Sequence, residues 1–317
     1  MSDVIHKPTA LDTRKFRDPD FTAKGERRAS VALAALETLW FNTGTLCNLT
    51  CVNCYIESSP RNDRLVYLSL DDVRLYLDEI ERDRLDTRVI GFTGGEPFMN
   101  PDLPEMLDLV LGRGFEALVL TNAMAPMRKI RDRLLPLRRH GEALTIRVSI
   151  DHYSSAIHEL ERGARSWAPT IEGLCWLARQ GFRVHVAGRR FTYEAEGALR
   201  AGFAGLFAEL GVEIDALDPV ALTLFPEMDV TVDVPEITEA CWDILHKSPA
   251  DVMCASSRMV VKRHGATTPA VVACTLLPFD AAFELGATLR DAAGAVKLNH
   301  PHCAKFCVLG GAACSRG

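Results

Sequence analysis

Three cysteines, Cys47, Cys51 and Cys54, stand in the run CNLTCVNCYIES with the spacing C-x3-C-x2-C. Thiolates are soft ligands that hold zinc or iron–sulfur clusters, and both normally take four protein donors. Three thiolates can hold three irons of a [4Fe–4S] cube and leave the fourth open to a ligand that is not protein. An open coordination place serves catalytic zinc in the same way. For the triad alone, a zinc loop with a distant fourth donor is the other reading. A second group with chemical potential is Gly94, Gly95 and Glu96 in VIGFTGGEPFMNP. Paired glycines let the backbone approach a ligand closely, and Glu96 is expected at the rim as an acceptor.

These residues need elements that bring them together. Short apolar, β-branched runs occur at 88–94, 115–121, 144–150 and 182–188, after a first strand near LETLWFN. Each is followed by a segment of helical period. SLDDVRLYLDEIERD opens on a serine cap and sets Val73, Leu75, Leu77 and Ile80 near one face. Two further helices are expected to stop at Gly114 and Gly181. Strand–helix alternation implies parallel βαβ units. About six units fit between Leu36 and Phe225, too few for a full eight-unit barrel. The expected fold class is α/β, a partial (β/α)6 TIM-like barrel. A small cysteine-rich α+β extension with a β-hairpin is expected to follow it. The expected divisions are an N-terminal arm over 1–35, the partial barrel over 36–230 and the extension over 231–317. A helix is expected at about 236–247. The triad then lies on the loop after the first strand and the glycine pair on the loop after the second, both at the C-terminal ends where α/β barrels place chemistry.

Together the triad and the Gly-Gly-Glu segment resemble the radical S-adenosylmethionine (radical SAM) superfamily. TNA at 121–123 resembles the Thr-Asn-Gly of many members, and RVSIDHYSSAIHELERG resembles a segment carrying a serine and a distant arginine. The resemblance covers roughly residues 36–225. It implies that Cys47, Cys51 and Cys54 bind the [4Fe–4S] cluster that cleaves SAM. Gly94, Gly95 and Glu96 would hold the SAM amino group. Asn122, Ser149 and Arg162 would also face the nucleotide, with Ser149 and Arg162 at its ribose or carboxylate. An Arg fork suits a carboxylate. The position before the third cysteine, often aromatic in the family, is Asn53, so Tyr55 is the aromatic residue expected beside SAM. The implied chemistry is one-electron cleavage of SAM to a 5′-deoxyadenosyl radical, which takes a hydrogen atom from a substrate carbon. The C-terminal segment is the expected lid.

Five of the ten cysteines lie beyond residue 250: Cys254, Cys274, Cys303, Cys307 and Cys314. Cys254 and Cys274 bracket the expected hairpin. The layout resembles the auxiliary-cluster extensions of radical SAM enzymes, the SPASM and twitch types. One auxiliary [4Fe–4S] cluster is the better fit, held by Cys254, Cys274, Cys303 and Cys307, with Cys314 open as an alternative to Cys307. The fifth cysteine is either inert or a hydrogen-atom donor. A zinc knuckle is the competing reading of this tail. Cys175, Cys241 and the histidines are expected to be structural, with His302 beside Cys303 the one worth checking.

Composition bounds the rest. The chain has 317 residues, 48% hydrophobic and 25% charged, with a formal charge of −6. That balance gives no sign of a nucleic-acid partner. No apolar run is long enough to span a bilayer, and the polar N-terminus does not read as a secretory signal. Clustered cysteines without such a signal point to the reducing cytoplasm. The expected substrate is a small molecule or short peptide, and the expected electron donor a flavodoxin or ferredoxin. An iron–sulfur or zinc scaffold without enzymatic activity is the alternative.

Overall fold

The computed structural model describes residues 9–191 and 193–314. The first eight residues of the expected arm lie outside them. Eleven strands follow in chain order. They are β1 (Ser30–Val31), β2 (Thr38–Asn42), β3 (Val89–Thr93), β4 (Glu116–Thr121), β5 (Leu144–Ser149), β6 (Arg183–Arg190), β7 (Leu222–Pro226), β8 (Ser257–Val261), β9 (Ala270–Val272), β10 (Glu284–Gly286) and β11 (Val296–Lys297). Nine of them form one sheet in the order β10-β9-β8-β2-β3-β4-β5-β6-β7. From β2 to β7 every pairing is parallel and sequential, the six units expected of an open barrel. Strand β8 adds to β2 in parallel and then turns back antiparallel into β9. The hairpin expected between Cys254 and Cys274 is therefore present, but it extends the barrel sheet itself.

The parallel strands are apolar because both faces are covered. Leu39, Trp40 and Phe41 of β2 are all fully buried. Eight helices accompany them: α1 (Leu70–Asp83), α2 (Leu103–Gly112), α3 (Ala125–Lys129), α4 (Arg131–Leu134), α5 (Ser155–Arg162), α6 (Trp167–Arg179), α7 (Glu196–Leu210) and α8 (Cys241–Leu245). Helix α1 starts on a capping box between Ser69 and Asp72. Its inner face is Val73, Tyr76, Leu77 and Ile80, while Leu75 is 55% exposed. Leu75 lies two residues from Val73, about 200° around the helix, so the spacing that buries 73 and 77 turns 75 outward.

The segment expected as a helix at 236–247 is helical only over α8. Its first part is held extended by the N-terminal arm, with Ala29 N donating to Ile237 O at 2.9 Å and Glu239 N to Arg27 O at 3.2 Å. The arm also pairs β1 with β11. Its anchor is an ion pair of Arg28 Nη2 with Glu236 Oε1 at 2.6 Å, with side chains 0% and 5% exposed. Glu236 further accepts from Phe16 N at 2.8 Å and Ala23 N at 2.7 Å. Burial pushes the Glu236 carboxyl up, but those donors and Arg28 hold it below the usual carboxylate range. Glu236→Ala leaves a buried guanidinium with carbonyl acceptors only. It is expected to cost about 3 kcal/mol, measured as a lowered urea midpoint. A carboxyl depressed in the folded state stabilises above its unfolded pKa of about 4.3 and loses that stabilisation as pH falls through its folded value. The gap between wild type and variant is therefore expected to narrow below about pH 4.

Candidate functional site

The loops leaving the C-terminal ends of β2 to β7 surround one cavity of about 1060 Å³, its mouth included. Cys47, Cys51, Cys54, Tyr55, Gly94, Gly95, Asn122, Ser149 and Arg162 all line it. Nine of the ten residues expected to meet the cluster or SAM are thus brought together.

The exception is Glu96. It is 2% exposed and does not line the cavity. Its carboxylate accepts from Thr121 Oγ1 at 2.7 Å, Asn122 N at 2.8 Å and Phe98 N at 3.2 Å. Burial pushes the carboxyl up to about 7, against the pull of those donors. Glu96 is therefore a brace between the loops after β3 and β4. The expectation that it stands at the rim is corrected: two loop N–H groups and a threonine hydroxyl need an acceptor there, and the side chain turns inward to serve them.

The glycine pair sits where two loops cross. Gly95 N donates to Gly44 O at 2.7 Å and Glu96 N to Leu46 O at 3.0 Å. A Cβ on Gly95 would lie 2.0 Å from Leu46 O, and one on Gly94, at φ +143°, would lie 2.5 Å from Gly44 O. The crossing fixes the start of the cysteine loop. Leu49 N donates to Cys47 Sγ at 3.4 Å and Ser58 N to Cys54 Sγ at 3.4 Å. Such N–H···S bonds favour thiolate and tune cluster potentials. Burial raises the Cys47 thiol to about 12 and the Cys51 thiol in the same direction. A bound metal centre would reverse that and deprotonate them.

Asn122 binds Asn48 Oδ1 through its side-chain nitrogen at 2.9 Å, joining the β4 loop to the cysteine loop. The next residue, Ala123, has φ +56°, the left-handed region where glycine is favoured. That accounts for the glycine of the motif it resembles. Asn53 reaches Glu161 Oε2 at 2.9 Å and so ties the cysteine loop to the end of α5. On the same side, Arg162 pairs with Asp151, Nε to Oδ2 at 3.0 Å and Nη2 to Oδ1 at 3.1 Å. Arg189 lies 3.8 Å from the same carboxylate. Burial opposes ionisation of Asp151, but Arg162 and Arg189 hold it below its ordinary value. Asp151, Arg189 and Ser58 line the cavity and were not anticipated. Asp151 and Arg189 stand at or just past strand ends, a position that flags chemistry in this fold class. Ser58 gives no signal in the sequence.

A second, almost wholly apolar cavity of about 330 Å³ is lined by Cys254, Cys274, Cys303, Cys307 and His302. Cys303 and Cys307 come from a π-helix over Cys303–Leu309, a wide turn often found at functional sites. Burial raises the thiols of Cys254 to about 11 and Cys274 to about 12, and pushes those of Cys303 and Cys307 in the same direction. His302 Nδ1 is buried without a hydrogen-bond partner, and burial lowers the ring to about 3. Cys314 is not in this group and lines the first cavity. Cys175 and Cys241 line neither. A single zinc draws its sulfurs to within about 3.8 Å of one another. Among the described residues no three His, Cys, Asp or Glu side chains are gathered on one metal ion.

The C-terminal segment closes over the first cavity. Phe306 stacks on Phe225 at the end of β7, ring centroids 5.4 Å apart, and both line the cavity. Arg147, wholly buried on β5, donates to Cys314 O at 3.1 Å, and Arg190 donates to Gly310 O at 2.9 Å.

An open parallel barrel with a three-cysteine loop, a glycine crossing and a cavity between them defines a class of SAM-using iron–sulfur proteins. Residues 41–196 match the family described as the Radical SAM superfamily. Those residues are a radical SAM domain, and members of that superfamily use a [4Fe–4S] cluster and SAM. It is 34% identical over 142 residues to the antilisterial bacteriocin subtilosin biosynthesis protein AlbA of Bacillus subtilis (strain 168), covering 44% of this chain and 30% of that one. It is 28% identical over 136 residues to the mycofactocin maturase MftC of Mycobacterium ulcerans (strain Agy99), covering 43% of this chain and 35% of that one. The chain thus spans about a third of the length of these relatives. Among solved structures, Streptococcus suis SuiB bound to S-adenosylmethionine has a TM-score of 0.58 at 13% identity, over 80% of this chain and 64% of that one. These likenesses bear on the fold. Among the described residues no helix is long and apolar enough to cross a membrane.

Proposed function

We propose that this chain is a radical SAM enzyme acting on a C–H bond of a peptide or small molecule. The observation that carries the reading is the convergence of Cys47, Cys51 and Cys54 with Gly94 and Gly95 around one cavity. The donor set fits a cluster with one open iron, and the glycine crossing is a cradle that any Cβ would fill. Cluster and SAM together supply reductive cleavage of the sulfonium, giving the radical that abstracts hydrogen. The chain's own part is to bind, orient and exclude water. Cys47, Cys51 and Cys54 hold the cluster, with N–H donors at two of the sulfurs. Gly94 and Gly95 offer backbone groups to the methionine end of SAM. Asn122, Ser149, Tyr55 and the Arg162–Asp151 pair face the remainder. Phe225, Phe306 and Met228 supply the apolar wall that a reactive alkyl radical requires.

We read residues 36–230 as the catalytic unit and 231–317 as an auxiliary unit that shares its sheet. In that unit Cys254, Cys274, Cys303 and Cys307 hold a second [4Fe–4S] cluster. It would accept the electron when a substrate radical is oxidised, or shape the pocket. The names of AlbA and MftC, a biosynthesis protein of a bacteriocin and a maturase, favour peptide modification. A low-potential carrier of the flavodoxin or ferredoxin class would supply electrons in the cytoplasm. The test is anaerobic reconstitution followed by SAM and dithionite. Formation of 5′-deoxyadenosine is expected. Its absence, with about eight irons bound per chain, would leave a metal scaffold as the better reading.

A further inference from the structure

Five cysteines crowd the C-terminal segment, but they do not face the same space. Four line the second cavity, and Cys314 lines the first together with the cysteine triad. Cys314 is 2% exposed to solvent. Its carbonyl is fixed by the buried Arg147, and its Sγ accepts from Thr275 Oγ1 at 3.3 Å. Thr275 follows Cys274 in the chain, so Cys314 sits in the wall between the cavities. A second polar group of the same cavity lacks a partner. Ser58 Oγ, in a residue 4% exposed, lines the same cavity without a hydrogen-bond partner. The cavity therefore offers a ligand a hydroxyl and a thiol besides the groups expected to hold SAM.

A thiol in this position has an obvious chemical use. Its S–H bond is weaker than an ordinary C–H bond, so it gives a hydrogen atom readily to an alkyl radical. Resting on the radical reading above, we propose that Cys314 is not a cluster ligand but a free thiol of the reaction cavity that donates a hydrogen atom to a carbon-centred radical formed there. The step balances simply. The C–H bond forms as the S–H bond breaks, and the radical passes to sulfur. The thiyl radical then takes one electron from the low-potential carrier, or from dithionite in vitro, and one proton from water. The substrate leaves without net oxidation, and a carbon whose hydrogen was removed on one face can regain it on the other.

The test needs no substrate. A thiol exchanges its proton with solvent, so in D₂O Cys314 becomes S–D. Reconstituted protein given SAM and dithionite alone in D₂O is expected to release 5′-deoxyadenosine carrying about one deuterium, read by mass spectrometry. In Cys314→Ala and Cys314→Ser the deuterium per molecule of product should fall to the level of the buffer background. Iron should stay at about eight per chain in both variants, against about four in Cys307→Ala. Iron falling to about four in Cys314→Ala would make Cys314 a ligand and overturn the proposal. Product that keeps its deuterium in both variants would overturn the donor role. No 5′-deoxyadenosine from the wild type would instead strike at the radical reading itself, and the iron counts would still decide whether Cys314 is a ligand.

Discussion

Replacing Cys47, Cys51 and Cys54 together with alanine is expected to lower bound iron from about eight to about four per chain and to abolish 5′-deoxyadenosine formation. The thiolates are the only donors the cysteine loop offers the cluster under this reading. The loop itself should survive, because its backbone is held elsewhere. Thr45 N donates to Leu65 O at 3.0 Å, Cys47 N to Ser59 O at 3.1 Å and Val52 N to Glu161 O at 2.9 Å. Cysteine to alanine is also a small loss of volume. An unchanged urea midpoint beside the loss of iron would confirm that metal and not fold was removed. Retention of about four irons reports the second site. Iron that falls to none would leave zinc or nothing in the C-terminal cavity, and iron that stays at about eight would remove the triad from the cluster altogether.

The barrel was legible because its strands are buried on both faces and its helices are not. β3, β4, β5 and β6 stand within two residues of the runs read from the sequence. The triad and glycine pair were legible because their spacing is local and strand ends place loops on one side. What the sequence hid is long-range. The role of Glu96 depends on Thr121 and Asn122, some 25 residues away, whose need for an acceptor no local pattern records. The helix expected before α8 is displaced by the backbone bonds of Ala29 to Ile237 and Glu239 to Arg27, from an arm more than 200 residues earlier in the chain. The facing of Cys314 is of the same kind. Its spacing from Cys303 and Cys307 says nothing about which cavity it meets. Arg147, in the middle of β5, decides that by holding the Cys314 carbonyl.

Gly95→Ala is expected to abolish 5′-deoxyadenosine formation and to destabilise the fold by about 2–3 kcal/mol, the range for overpacking a close-packed site. The added methyl carbon would meet Leu46 O at 2.0 Å, Leu46 C at 2.5 Å and Thr45 O at 2.7 Å. All three are backbone atoms, so no side chain can rotate away. Relief needs the two loops to part by roughly an ångström, and a shift of that size can cost about 100-fold in rate. It would also strain both crossing hydrogen bonds, Gly95 N to Gly44 O and Glu96 N to Leu46 O. Cys47 is the residue next to Leu46, so the first cluster ligand moves with the crossing. Gly112→Ala is the matched control. It ends α2, and a Cβ there meets nothing within 4 Å. There the change should be neutral or stabilise by up to about 1 kcal/mol through helix propensity. Urea midpoints, iron content and the rate of SAM cleavage for the two variants together test the argument. Wild-type iron and rate in Gly95→Ala would show that the loops can part without disturbing the cluster, and the glycine pair would then lose its claim to position SAM.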